Sequence, residues 1–301
     1  MSIPLGEIAA LGTALCWTAS SLAFAAAGRR MGSLSLNLVR LVLAFVFLGL
    51  YNFARRGLPL PLDASAEAWG WLFVSGLVGF VFGDMCLFRA FLLIGPRVAM
   101  LVMSLAPPMA AVLGWLVLGE RISSLGIAGM IVTLVGVAIV VRERTDLTNT
   151  AGTGPKGESG KGVLLALGGA TGQAVGLVLS KIGMKTYDPF AATQIRIIAG
   201  IVGFSFLFTF IQWWGRAAVA VRDRTALGFA ALGAIAGPFV GVSLSLLSIQ
   251  HTETGVAATI MATTPVLLIP AVILVHKEYV SLRAILGALV AVSGVALLCI
   301  R

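Results

Sequence analysis

Asp84 is the one acidic side chain that falls well inside a long apolar stretch, Ala68 to Phe91. A charge near the middle of a membrane-spanning helix costs about 2.5–3.5 kcal/mol on translocon scales, so it needs a partner or a function. Arg40 is a plausible partner. It lies about seven residues in from one end of the stretch Ser33 to Phe53, and Asp84 about seven in from the matching end of its own, which puts both roughly 10 Å deep. Three readings of the carboxylate stand open: a structural ion pair with Arg40, proton coupling, or contact with a substrate amine. Met85 and Phe88 flank it and could line an apolar pocket, or serve as plain core.

Pro107, Pro108 and Pro265 sit near the midpoints of two further apolar stretches. A mid-helix proline removes one backbone hydrogen bond and frees the carbonyl four residues earlier, here those of Met103, Ser104 and Met261. Lipid tolerates such breaks only where protein buries them or where they line a cavity. Ser104, Thr263 and Thr264 offer hydroxyls beside the breaks, for substrate or simply for their own helix. The two broken helices are expected to face each other across a central cavity.

Trp17 lies about 13 residues into the first apolar stretch, roughly 20 Å along its axis and far from the interfacial belt that Trp favours. Ser20, Ser21 and Phe24 share its face at spacings of three and four. That face is a candidate binding surface or a packing seam.

These side chains need a frame, and the composition names its solvent. With 59% hydrophobic and 11% charged residues, 301 residues have too little polar surface to cover a water-soluble globule. About 20 apolar residues cross a bilayer, and ten such spans are legible: Pro4 to Ala27, Ser33 to Phe53, Ala68 to Phe91, Arg97 to Leu118, Ile122 to Val141, Gly162 to Gly183, Pro189 to Trp214, Ala226 to Ile249, Gly255 to Val275 and Leu282 to Ile300. The net charge of +9 comes mostly from Lys and Arg between spans, where they set topology and meet lipid head groups rather than nucleic acid. Cys16, Cys86 and Cys299 fall within spans and lack metal-ligand spacing. No disulfide framework, metal site or cofactor is expected.

The chain is also written twice. A shift of 156 lays Leu11, Gly12 and Arg40 on Leu167, Gly168 and Arg196; a shift of 158 lays Gly79, Gly83, Pro107, Glu120, Gly129 and Gly136 on Gly237, Gly241, Pro265, Glu278, Gly287 and Gly294. Residues 1–142 form one five-span repeat, 143–161 a polar linker, and 162–301 the second repeat. Five is odd, so the second repeat enters from the opposite side and the fold class is an all-α membrane protein of ten helices in two inverted repeats. The copies differ where chemistry is expected. Trp17 aligns with Gln173, a buried amide that needs a partner, and Asp84 aligns with Val242, so Arg196 has no matching acid. Inversion brings Arg196 toward Glu120 at the end of span 4, and Arg40 toward Glu278 at the end of span 9. Such pairs could act as alternate gates, or the glutamates could simply be solvated.

The residues Asn37-Leu38-Val39-Arg40, Ser104-Leu105-Ala106-Pro107 and Leu118-Gly119-Glu120-Arg121-Ile122-Ser123, with Gly129 and Gly136 behind them, resemble the EamA-type branch of the drug/metabolite transporter superfamily. The second copy has His276-Lys277-Glu278 where the first has Leu118-Gly119-Glu120, yet keeps the proline, the glutamate and both glycines. The resemblance implies a metabolite carrier and both termini in the cytoplasm. The charge count points the other way: if side A is where span 1 begins, side A carries six Lys and Arg and side B thirteen, which makes side B cytoplasmic. The two orientations stay open.

The expected function is a secondary transporter of small metabolites working by alternating access, an exporter of amino acids or related compounds. A channel-like facilitator or a broad drug exporter is the alternative. No GxxxxGK loop offers ATP drive. An intramembrane aspartyl protease needs two carboxylates, and Val81-Phe82-Gly83-Asp84 lacks the first glycine of GxGD; a zinc protease needs HExxH, and His251 and His276 are isolated. An enzyme is therefore not expected. The expected partners are a small-molecule substrate and the bilayer of a bacterial inner membrane, with the chain acting as a monomer.

Overall fold

An apolar stretch in lipid has no water to bond its backbone, so it closes its hydrogen bonds within itself and becomes a helix. The computed structural model describes residues 5–146, 159–264, 266–267 and 282–299, and these are helical almost throughout. In the first repeat α1 (Leu5–Met31) and α2 (Ser33–Arg56) are followed by α3 (Ala66–Gly76), a π-helical segment Leu77–Gly83, α4 (Asp84–Met103), α5 (Ala106–Leu118) and α6 (Ser124–Asp146). The second repeat has α7 (Ser159–Met184), α8 (Pro189–Phe210), a short α9 (Trp214–Ala220), α10 (Arg224–Ala234), a π-helical segment Ile235–Gly241, α11 (Val242–His251), α12 (Thr254–Met261) and α13 (Leu282–Cys299). Six described helices are long and apolar enough to cross a membrane, and shorter apolar helices at Ala106–Leu118, Ser124–Ile139 and Ile285–Leu298 supply parts of further spans.

The duplication is visible in the element boundaries themselves. A shift of 158 carries α3 onto α10, the first π-helical segment onto the second, and the start of α6 onto the start of α13. Even the caps correspond. Ser65 Oγ accepts from the Ala68 amide at 3.1 Å, and Asp223 Oδ1, 158 residues on, accepts from the Ala226 amide at 3.0 Å. Each satisfies an amide that the first helical turn leaves without an intrahelical partner.

The helices pack mainly across the repeats, which builds one body rather than two. α1 lies against α10 and α11, α3 against α7, α2 against α8, α5 against α12 and α6 against α13. The last pair closes on glycines: a Cβ on Gly129 would stand 3.0 Å from the Gly294 carbonyl, and one on Gly136 would collide with the Ala291 backbone. Small residues let backbones approach where lipid offers no hydrophobic drive.

Two backbone features are not marked in the expected span boundaries, although the first keeps the expected break between Phe91 and Arg97. Helical backbone runs on past Phe91 to Met103, yet Ala90 and Ala99 share one packed cluster with Ala166, and Met103 Sδ meets the position of Gly169 beside Leu87. A straight helix would hold Ala90 and Ala99 roughly 13 Å apart. The chain therefore doubles back between them, in a stretch containing Gly95 and Pro96. The second feature is the π-helical turns, where Gly83 and Gly241 let the carbonyls of Val78 and Ala236 come close.

Candidate functional site

Both proline-marked spans are broken, and at matching positions. Helix α4 ends at Met103 and α5 starts at Ala106 with Pro107 in its first turn; α12 ends at Met261, and Ala262 and Thr263 leave the helical path. A shift of 158 superimposes the two breaks. They meet at a cavity of about 350 Å³ in the middle of the molecule, with Met103, Ser104 and Pro107 on one wall and Met261, Ala262 and Thr264 on the other. That volume suits a small metabolite.

Trp17, Ser20, Ser21 and Phe24 of α1 line the cavity, and Gln173 of α7 lines it from the other repeat. Ser21 is turned back onto its own helix, donating to Thr18 O at 2.8 Å, as Thr264 does to Met261 O at 2.8 Å. The latter bond fills the carbonyl that Pro265 deprives of an amide donor. Thr263 is buried, donates to Ile260 O at 2.7 Å and does not line the cavity. Pro265, Glu278 and the side chain of Phe88 lie outside the described residues. Met85 is exposed rather than buried beside Asp84.

Arg40 and Asp84 form an ion pair on the cavity wall, with 16% and 21% of their side chains exposed. The Arg40 guanidinium also lies over Phe24, 5.5 Å from the ring centroid. Arg196 reaches the same cavity from α8. It is 5% exposed, stacks over Phe80 at 5.1 Å, and its Nε has no acceptor.

Of the two alternatives for Glu120, a gate pair with Arg196 or a solvated carboxylate, the structure shows neither. Glu120 Oε1 takes Lys181 Nζ at 2.7 Å and Thr254 Oγ1 at 2.8 Å, while Oε2 takes the Thr254 amide at 2.8 Å. Lys181 stands in the last turn of α7 on the same side as Glu120, so it wins the carboxylate before the deeper Arg196 can reach it. Lys181 also donates to Thr252 O at 2.7 Å, and Thr252 Oγ1 donates to the buried Glu7 at 3.1 Å. This latch was not singled out from sequence, where Lys181 reads only as one of the charges that set topology. The available signal was its place in a helical last turn, at the membrane side where span 4 also ends.

More cross-repeat contacts lie on side A outside the spans. Arg55 pairs with Asp188 at 2.6 Å, Lys185 with Glu67 at 3.0 Å, and Tyr187 Oη donates to Asp63 at 2.9 Å. Burial pushes the Tyr187 phenol up to about 12, so it stays protonated and remains a donor. On side B the described residues include Arg30 paired with Asp223 at 2.7 Å and Trp213 Nε1 donating to Ser35 Oγ at 3.2 Å. The cavity lining toward side A, at Ala174, Leu177, Ser245 and Ala258, is buried; toward side B, Ser21, Phe24, Arg40 and Asp84 are partly exposed while Ser20, Val137 and Gly237 are buried.

Comparison with known proteins agrees with this two-repeat frame. The model of the EamA-like transporter family matches residues 4–142 and again 160–300. The chain belongs to the EamA-like transporter family. This makes it a multi-pass membrane protein of the drug/metabolite transporter type. An uncharacterized membrane protein of Saccharomyces cerevisiae is 25% identical over 187 residues, covering 58% of this EamA-like chain and 45% of the yeast protein's own length. A crystal structure that is 19% identical superimposes with a TM-score of 0.72 over 97% of this chain and 95% of its own, which speaks for the fold alone.

Proposed function

We propose that this EamA-like protein is a secondary carrier of the cell membrane that exports small metabolites, amino acids or close relatives of them, as a single chain. The observation that carries the reading is the midplane cavity at the two helix breaks, with the Glu120 and Lys181 latch tying the two repeats together on side A. Two inverted repeats can exchange this state for its mirror image by rocking about the cavity, which is alternating access. Free energy then comes from the solute gradient or a coupled ion, with Asp84 the candidate acid for coupling.

Counterflow in proteoliposomes tests this with a panel of amino acids, nucleosides and cationic drugs. A carrier gives saturable exchange, accelerated by unlabelled solute on the far side. Conductance that never saturates would replace the carrier with a channel.

A further inference from the structure

Resting on the carrier reading, we infer that the transported compound bears a carboxylate and that Arg196 is its anchor. Among the described residues, three charged side chains line the cavity: Arg40, Asp84 and Arg196. Arg40 and Asp84 satisfy each other's charge, which leaves one positive charge over. A guanidinium cannot shed its proton to escape burial, and Arg196 is 5% exposed. Its Nε has no acceptor, and it makes no ion pair among the described residues. The acid whose charge reaches it is Asp84, across the same cavity, but that carboxylate is held by Arg40, and Glu120 is occupied by Lys181 and Thr254.

The ring of Phe80 holds the guanidinium from one side, 5.1 Å away. Stacking of this kind fixes the plane of the group and leaves its edge free to donate in parallel. Two parallel N–H donors match the two oxygens of a carboxylate, a match that no amine, amide or sugar hydroxyl provides; a phosphate monoester also offers it but brings about two negative charges against one surplus positive charge. The rest of the wall is mainly apolar, with Trp17, Phe24, Leu87, Met103 and Met261 around the volume. The occupant is thus a small carboxylate with an apolar body. Its carboxylate neutralises the surplus charge, and an amino group elsewhere on it is tolerated rather than required.

Matched compounds test the inference without needing the native substrate. Phenylalanine, phenylpropionate and phenethylamine share one ring and chain, and leucine, isocaproate and isoamylamine share another. Binding to purified protein is read by thermal shift and Trp fluorescence, and exchange by counterflow. In each set the two carboxylates are expected to bind roughly tenfold or more tightly than the amine, the scale of losing one hydrogen bond to a charged group. Arg196→Gln should remove that preference by weakening the acids, with the amines binding no worse. Arg196→Lys should recover part of it, since a point charge remains without the fork.

Amines that bind the unaltered protein as tightly as the acids would overturn the inference, and this comparison holds even if Arg196→Gln fails to fold. A folded Arg196→Gln protein with undiminished carboxylate binding would overturn it too. Saturable exchange of amines but not of acids would sink the carboxylate and leave the carrier standing. Absence of saturable exchange across all six compounds would sink both.

Discussion

Arg40 and Asp84 meet on the cavity wall with part of each side chain exposed, so the pair costs less than a fully buried one while either partner alone would cost more. Removing one partner of a buried pair typically costs about 3–5 kcal/mol, whereas replacing both with apolar residues is often neutral. Partial exposure moves the expected cost of Asp84→Asn to the lower end of that range. Arg40 is then left with an unpaired guanidinium, adding to an Nε that already has no acceptor. Arg40→Leu in the same protein should restore the melting temperature, and a double mutant no more stable than Asp84→Asn would rule the pair out as a structural element. The depth of two charges below one membrane face was enough to suggest this contact from sequence. Nothing comparable flagged Phe80, because an aromatic in an apolar run looks like any other core residue. Arg196 is visible in the sequence as an unmatched arginine, whereas the helix-end Lys181 that holds Glu120 in this structure carries no such mark.

Among elements, the broken helices were legible and the π-helical turns were not. Proline deletes a hydrogen bond wherever it stands, so Pro107 announces a break by its type alone. The π-helical segments occupy matching places in both repeats, yet Pro238 of the second corresponds to Phe80 of the first. No single residue type marks them both; the glycines at their ends only permit what packing imposes. The glycine seam between α6 and α13 gives a sharper test of element-level reasoning. A side chain at Gly136 has the Ala291 backbone in its way, with the Gly287 carbonyl 2.6 Å off. Backbone cannot swing aside as a side-chain tip can. Gly136→Val should therefore force the two helices apart and cost about 1–3 kcal/mol, the usual range for overpacking. Thermal unfolding in detergent would read it, and an unchanged midpoint would mean the helices are less tightly joined than their backbones suggest.

For the whole molecule, the latch and the lopsided charge pull the two repeats out of equivalence. Glu120, Lys181, Thr252, Thr254 and Glu7 tie spans from both repeats on side A. Glu120→Ala should release that side. A cysteine placed at Ala258, buried in the cavity wall toward side A, should then react with a membrane-impermeant thiol reagent from side A several-fold faster than in the protein with Glu120 intact. Equal rates would mean that packing alone keeps side A shut.

The deeper asymmetry is that one arginine has its acid and the other does not. Val242 occupies the place that Asp84 holds in the first repeat, and it lines the same cavity. Val242→Asp would complete the twofold pattern by giving Arg196 a carboxylate of its own. The cavity would become neutral, with both guanidinium groups engaged inside the protein. If Arg196 holds the substrate's carboxylate, this variant should keep or raise its melting temperature and yet lose the thermal response to phenylpropionate, because the site is already filled from within. Combining Val242→Asp with Asp84→Val moves the unpaired arginine to Arg40, so carboxylate binding should return with the polarity of the cavity reversed. A Val242→Asp protein that folds and still binds carboxylates as before would show that charge balance does not govern occupancy. The duplication would then explain the motion of the fold without explaining its cargo.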